Sequence, residues 1–284
     1  MLGSFQETIK KITGSEIKKK SALSGGCVGD VYKLELASSQ VLVAKVGGLG
    51  SGLEIEGMML NYLGKHSTIP VPRVVYVDEK LLLMTWIPSK GSLDKKTQIH
   101  AADLVSSLHN ITSEQYGFAS DTVIGGLHQD NSKNDSWLEF FAQNRLYAMA
   151  MQGINSGRLP KTVMVRLEKL IERLKNWIDE PDQPSLIHGD MWSGNVLSEG
   201  GRVTGFIDPA IYFADPEIEL AFTTLFSTFG DYFFSRYNEH RNIKPGFFEE
   251  RKDIYNLYPL LVHVQLFGGT YVGSVENTLR KFGF

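Results

Sequence analysis

The sequence predicts an α+β protein of two lobes, a small N-terminal antiparallel sheet with one helix and a larger, mainly helical C-terminal lobe. Three observations lead there. Short runs rich in β-branched residues, parted by polar turns, crowd residues 31–84. From about residue 94, apolar residues recur near a helical period. Late in the chain, Asp190, Asn195 and Asp208 fall at spacings of five and thirteen residues beside short apolar segments. The expected boundary lies just after Ile87, giving an N-terminal nucleotide-binding lobe over 1–87 and a catalytic and substrate-binding lobe over 88–284.

Composition narrows the function. With 284 residues the chain can bury two substantial cores, and a hydrophobic fraction of 42% argues against long disorder. A net charge of −3 gives no basic field for nucleic acid. No apolar run approaches the ~20 residues that span a bilayer, so no membrane partner is expected. The first seven residues lack the basic flank and apolar core of a secretory signal. A single cysteine, Cys27, rules out an intrachain disulfide and a multi-Cys zinc site. These features fit a cytoplasmic protein.

Residues 5–12 have an amphipathic pattern, and Lys18-Lys19-Lys20 reads as a solvated turn. Ser24-Gly25-Gly26-Cys27-Val28-Gly29-Asp30-Val31 approximates the pattern G-x-G-x-x-G-x-V, with Ser24 at the first glycine. In such a loop Gly25, Gly26 and Gly29 would let backbone N–H groups approach phosphates. Alone, the motif fits an ordinary Gly-rich hairpin turn as well. Cys27 would be either a thiol with a pKa lowered by those N–H groups or an inert small residue. The Walker pattern is absent.

Two strands follow, 31–36 and 41–46. Lys45 is the only charge in the second. It is either an edge gatekeeper or a functional cation, and its place after the glycine loop favours phosphate contact. A helix is expected over about 51–64. At 100° per residue Leu53, Glu56, Leu60 and Leu63 share one stripe, which makes Glu56, not Glu54, the partner for Lys45. Val74–Val77 and Leu81–Met84 read as a hairpin, and Thr85-Trp86-Ile87-Pro88 as the crossing between lobes.

A helix should run from about 94 to His109-Asn110, with His109 structural. Residues 116–134 read as a polar, Gly-rich loop. Helices follow over 137–151 and about 162–178. Leu186-Ile187 is a short buried strand leading into His188-Gly189-Asp190-Met191-Trp192-Ser193-Gly194-Asn195. The turn 198–202 should make a hairpin that returns Asp208 beside Asn195. Asp215-Pro216 opens a helix, and Glu219 or Asp215 could hold the loop. His188 braces the loop, and His263 reads as a core histidine.

The D-x₄-N…D spacing is that of a kinase catalytic loop and its metal-binding Asp. Asp190 would accept the proton of the attacking hydroxyl, and Asn195 and Asp208 would hold Mg²⁺. ATP would lie between the lobes, its phosphates under Gly25, Gly26 and Gly29 and oriented by Lys45 and Glu56. Its adenine edge would meet the backbone of Thr85, Trp86 and Ile87. Pro209 and the lack of an activation segment argue against a protein kinase. Trp192 could pack on a sugar face or into the core.

The chain also resembles the fructosamine kinase family, a branch of the protein-kinase-like small-molecule kinases. The resemblance rests on Trp192-Ser193-Gly194-Asn195, Ile207-Asp208-Pro209-Ala210, Asp215-Pro216-Glu217-Ile218-Glu219-Leu220-Ala221, Tyr116-Gly117-Phe118, Ile124-Gly125, Arg145-Leu146 and Leu266-Phe267-Gly268-Gly269. It covers about residues 24–272. It departs from the family pattern at Met191, Glu219 and Thr85-Trp86. The resemblance implies a protein-kinase-like fold and transfer from ATP to O3 of a fructosamine or ribulosamine, an amine-bearing sugar either free or on a glycated protein. Another acceptor, such as an aminoglycoside, choline or another sugar, and a non-catalytic nucleotide-binding module are the alternatives.

Overall fold

The computed structural model describes residues 5–23 and 29–284. Helix α1 (Phe5–Thr13) seats Ile9 against an antiparallel sheet of five strands. These are β1 (Ile17–Leu23), β2 (Asp30–Leu36), β3 (Val41–Val46), β4 (Val74–Val77) and β5 (Leu81–Thr85), in the order β1-β2-β3-β5-β4. Leu34, Leu36, Leu42, Ala44, Leu81 and Leu83 form the core under α1. Helix α2 (Leu53–His66) covers the other face, where Leu53 and Leu60 meet Leu82 and Met84.

Lys18, Lys19 and Lys20 are not in a turn. They lie in β1 and are exposed, and Lys20 Nζ sits 3.5 Å above the Tyr32 ring centre. β1 is an edge strand with little to bury, so it lacks an apolar alternation. Lysines on such an edge deter pairing with another chain.

The rest is mostly helical. Helix α3 (Lys95–His109) is capped by Asp94, whose Oδ1 accepts the Thr97 N–H at 2.9 Å. The stretch read as a polar loop contains a hairpin, β6 (Thr122–Ile124) with β7 (Leu127–Gln129). Three residues per strand are too few for period-two alternation to show. Helix α4 (Trp137–Phe140), a wide π-turn over Phe141–Tyr147 and α5 (Ala148–Asn155) make one continuous helical run, longer than expected. Helix α6 (Lys161–Ile171) stops short of residue 178 and gives way to a 3₁₀ turn at Leu174–Asn176.

β8 (Ser185–Ile187) pairs antiparallel with β11 (Tyr212–Ala214). Between them β9 (Val196–Glu199) and β10 (Arg202–Phe206) form the expected hairpin. Helices α7 (Glu217–Leu225), α8 (Asp231–His240), α9 (Lys252–Tyr255), α10 (Leu257–Phe267) and α11 (Thr270–Lys281) complete the chain. A single large apolar cluster joins α3, the α4–α5 run, α6 and α7–α11. No described helix is long and apolar enough to cross a membrane.

Candidate active site

Strand β8 is buried along its length and delivers the chain to His188-Gly189-Asp190. The loop beyond it is held from below. Glu219, buried on α7, accepts the Gly189 N–H at Oε1 (2.7 Å), while its Oε2 lies 2.9 Å from His109 Nε2. A neutral His109 donates there and accepts the Tyr237 hydroxyl at Nδ1, 2.7 Å away. Burial lowers the His109 pKa, which favours that neutral ring. His109 is structural, as its position at a helix end suggested. The Asp215 side chain makes no hydrogen bond to the loop among the described residues. Its carboxylate accepts the Glu217 N–H at 2.9 Å and the Tyr255 hydroxyl at 2.5 Å, tying α7 to α9. His188 braces mainly through its carbonyl, which accepts the Ala210 N–H at 2.8 Å. Its ring is buried, and Nε2 has no partner among the described residues.

Asn195 is buried, and its Nδ2 donates to both the carbonyl and Oδ2 of Asp190, each at 2.9 Å. That orients the Asp190 carboxylate. The β9–β10 hairpin then brings Ile207 back so that its N–H donates to Asn195 O at 3.1 Å. Asp208 follows with φ 54°, a left-handed conformation rare for a non-glycine residue and typical of over-determined functional positions. Its Oδ1 lies 2.6 Å from Lys45 Nζ, and Lys45 Nζ lies 2.7 Å from Glu56 Oε1. The helix-phase choice of Glu56 over Glu54 thus matches the geometry. Burial works against the Lys45 charge, but Glu56 and Asp208 more than reverse this and raise its pKa. Burial and the nearby Asp208 push Asp190 up to about 7, against the Asn195 hydrogen bond.

Two cavities meet here. One of about 420 Å³ lies between the sheet and the β9–β10 region, lined by Val31, Val43, Met84, Leu197 and Ile207, with Lys45 and Asp208 at its edge. Thr85, Trp86 and Ile87 line it too. The Thr85 N–H donates to Arg73 O and the Trp86 N–H to Val41 O. Neither is free, and Ile87 carries the hinge N–H without a partner among the described residues. The second cavity, about 70 Å³, is lined by Asp190, Asn195, Asp208, Glu56 and the Gly125-Gly126 tip of the β6–β7 hairpin. Trp192 lines both. A cavity of about 670 Å³ around Asp215, Arg241 and Arg251 lies elsewhere and contains none of these groups.

Trp192 is not a core residue, being 37% exposed. Its indole folds back over Gly194, where a Cβ would stand 2.4 Å from the ring. The glycine of Trp-Ser-Gly-Asn is therefore a requirement of the indole pose. Gly29 has φ 69°, and a Cβ there would meet Val46 O at 2.2 Å. Gly25, Gly26 and Cys27 lie outside the described residues.

Among the described residues no group of three or more His, Cys, Asp or Glu could hold a metal ion. The donor set does suit a hard cation that takes most ligands from water and phosphate. With Asn195 Nδ2 committed to Asp190, its Oδ1 accepts no hydrogen bond among the described residues, and neither does Asp208 Oδ2.

One support had no local signal in the sequence. Gln129 on β7 donates from Nε2 to Ala210 O at 3.1 Å and accepts the Tyr258 hydroxyl at 2.6 Å, which ties the hairpin to the segment after Asp208. Its partners lie far away in the chain, so no short window contains the pattern.

A sequence model of the fructosamine kinase family matches residues 1–282. The chain belongs to the fructosamine kinase family. A protein named as a ketoamine kinase in Synechocystis is 31% identical over 97% of this chain and 94% of its own length. A protein-ribulosamine 3-kinase of rice, named as chloroplastic, is 29% identical over 96% of this chain and 79% of its own. A crystal structure described as a fructosamine-3-kinase of Thermobifida fusca superposes with a TM-score of 0.86 at 29% identity, covering 98% of this chain and 97% of that one. An aminoglycoside phosphotransferase solved with ADP and hygromycin B shares the fold at a TM-score of 0.68 and 16% identity, covering 99% of this chain and 100% of that one. The protein-kinase-like fold expected of this family is the fold observed.

Proposed function

We propose that the protein transfers the γ-phosphoryl group of ATP to a sugar hydroxyl of a ketosamine, O3 of a fructosamine or ribulosamine. The observation that carries this reading is Asp190 set beside the Lys45–Asp208 pair where the two cavities meet, in a chain of this family. The N-terminal lobe, 1–87, would bind nucleotide in the larger cavity, with the Ile87 N–H offered to the adenine edge. The C-terminal lobe, 88–284, would carry the chemistry. Lys45, fixed by Glu56, orients the phosphates. Asn195 Oδ1 and Asp208 would hold Mg²⁺, which neutralises phosphate charge when bound.

Asp190 accepts the proton of the sugar hydroxyl as its oxygen attacks the γ-phosphorus, and the bond to ADP breaks. With a pKa near 7, Asp190 is a stronger base than an ordinary carboxylate. The rest of the rate comes from positioning and charge stabilisation. Phosphate on C3 is a better leaving group than hydroxide: loss of a C1 proton gives an enaminol that expels inorganic phosphate from C3, and water then hydrolyses the resulting C1–N imine and frees the amine, a repair of glycation. Trp192 would pack against the sugar. Gly194→Ala should displace the indole and lower kcat/KM for the acceptor about tenfold, a loss of ~1.4 kcal/mol of sugar contact. Steady-state kinetics with varied acceptor check this. Wild-type kcat/KM in that variant would remove the indole pose from the account.

ADP release across a panel tests the assignment. We expect turnover with fructosamine and ribulosamine compounds and little with aminoglycosides or choline. The reverse preference would overturn it.

A further inference from the structure

The catalytic cavity borders a surface of aromatic rings that phosphoryl transfer does not use. From Trp192 the next ring is Phe226, at the end of α7, 6.4 Å away between centres and edge-on at 67°. Phe226 lies 4.9 Å from His263 on α10. His263 in turn lies 5.4 Å from Phe267 and 4.9 Å from Tyr271. The surface ends in the open, with Phe267 59% exposed. Trp192 and Phe267 are exposed and Phe226, His263 and Tyr271 between them are partly buried, so the rings form one connected group that reaches the surface, as a binding face does.

A second contact brings α10 to the same cavity. Gly125, which lines it with Asp190, approaches Leu266 so closely that a Cβ would stand 2.7 Å from Cδ1. Leu266 on α10 thus packs on the hairpin tip that lines the cavity. The two segments that carry Phe226, His263, Phe267 and Tyr271 are also uncharged. Residues 221–230 and 263–275 contain no Asp, Glu, Lys or Arg. Burial lowers the His263 pKa, against the hydrogen bond that its Nδ1–H donates to Pro259 O at 2.7 Å, and so favours the neutral imidazole. His263 is accordingly half-buried in a surface group, where the sequence suggested a core position.

We propose that this aromatic face receives the amine-borne part of the ketosamine and selects an aryl or other large apolar substituent there. The proposal rests on the ketosamine reading above. In such a substrate the nitrogen is attached to C1, close to O3. With O3 at Asp190 the secondary ammonium falls beside Trp192, whose ring face attracts a cation. The substituent on nitrogen then continues over Phe226, His263, Phe267 and Tyr271. The segments 221–230 and 263–275 offer a polycationic acceptor no carboxylate of their own.

The test compares fructose adducts of phenethylamine and of glycine, with wild type and with Phe267→Ala, Tyr271→Ala and the double variant. In wild type we expect kcat/KM to favour the phenethylamine adduct by about tenfold, the value of one well-buried ring edge. In the variants that ratio should fall toward one, through a rise in KM for the phenethylamine adduct. An equal preference in wild type, or a ratio indifferent to both substitutions, would overturn the proposal while leaving ketosamine phosphorylation standing. Turnover of neither adduct by wild type would remove the reading beneath it, and the proposal with it.

Discussion

Asp190→Asn is expected to lower kcat by about 10³-fold while ATP binding stays close to wild type. The amide is nearly isosteric, so Asn195 can still hydrogen-bond to its oxygen and the loop stays seated on Glu219. What disappears is the ability to take the hydroxyl proton. Wild type should also show an acid limb. As the proposed base Asp190 works ionised, and its pKa is pushed up to about 7, so kcat/KM should fall as pH drops below that value. Nucleotide titration together with pH–rate profiles checks both statements. Near-wild-type kcat in the variant would reject Asp190 as the base.

Lys45→Met should be nearly as damaging, with kcat/KM for ATP down by about 10³-fold, through loss of charge stabilisation at the phosphates. It should also destabilise the fold, unlike Asp190→Asn. Lys45 is buried and bridges Glu56 and Asp208, so its removal leaves two acids facing each other without a cation. Breaking one partner of a buried ion pair costs ~3–5 kcal/mol. Adding Glu56→Gln removes the more deeply buried of the two orphaned charges and the repulsion between them. The Lys45→Met/Glu56→Gln double variant should therefore recover most of the lost melting temperature but none of the activity. Thermal melts beside kinetics separate the two effects. A single variant as active as wild type would take Lys45 out of the site.

Much of this site could be read from the chain because its parts are local. Glu56 was separable from Glu54 by helical phase alone, since only one of them shares a stripe with Leu53, Leu60 and Leu63. The return of Asp208 to Asn195 needed only a hairpin of known turn chemistry between two short strands. Other features were hidden for physical reasons. β1 is an edge strand whose lysines face water, so no buried face imposed a period on it. β6 and β7 are three residues each, below the length at which alternation can be told from chance. The aromatic face draws on Trp192, α7, α10 and α11, and rings scattered along helices read as core until their exposure is known. The double role of Glu219 was legible only as a possibility. Capping and loop support call for the same acid in the first turn of a helix, and only the contacts to Gly189 and His109 decide between them.

Phosphorus NMR of the protein incubated with Mg²⁺, ATP and a synthetic fructosamine tests the account most directly. We expect a phosphomonoester signal coupled to the proton on C3 of the ketosamine, formed in step with ADP and lost in Asp190→Asn. ATP turnover that leaves the ketosamine unmodified while an aminoglycoside or choline becomes phosphorylated would contradict it.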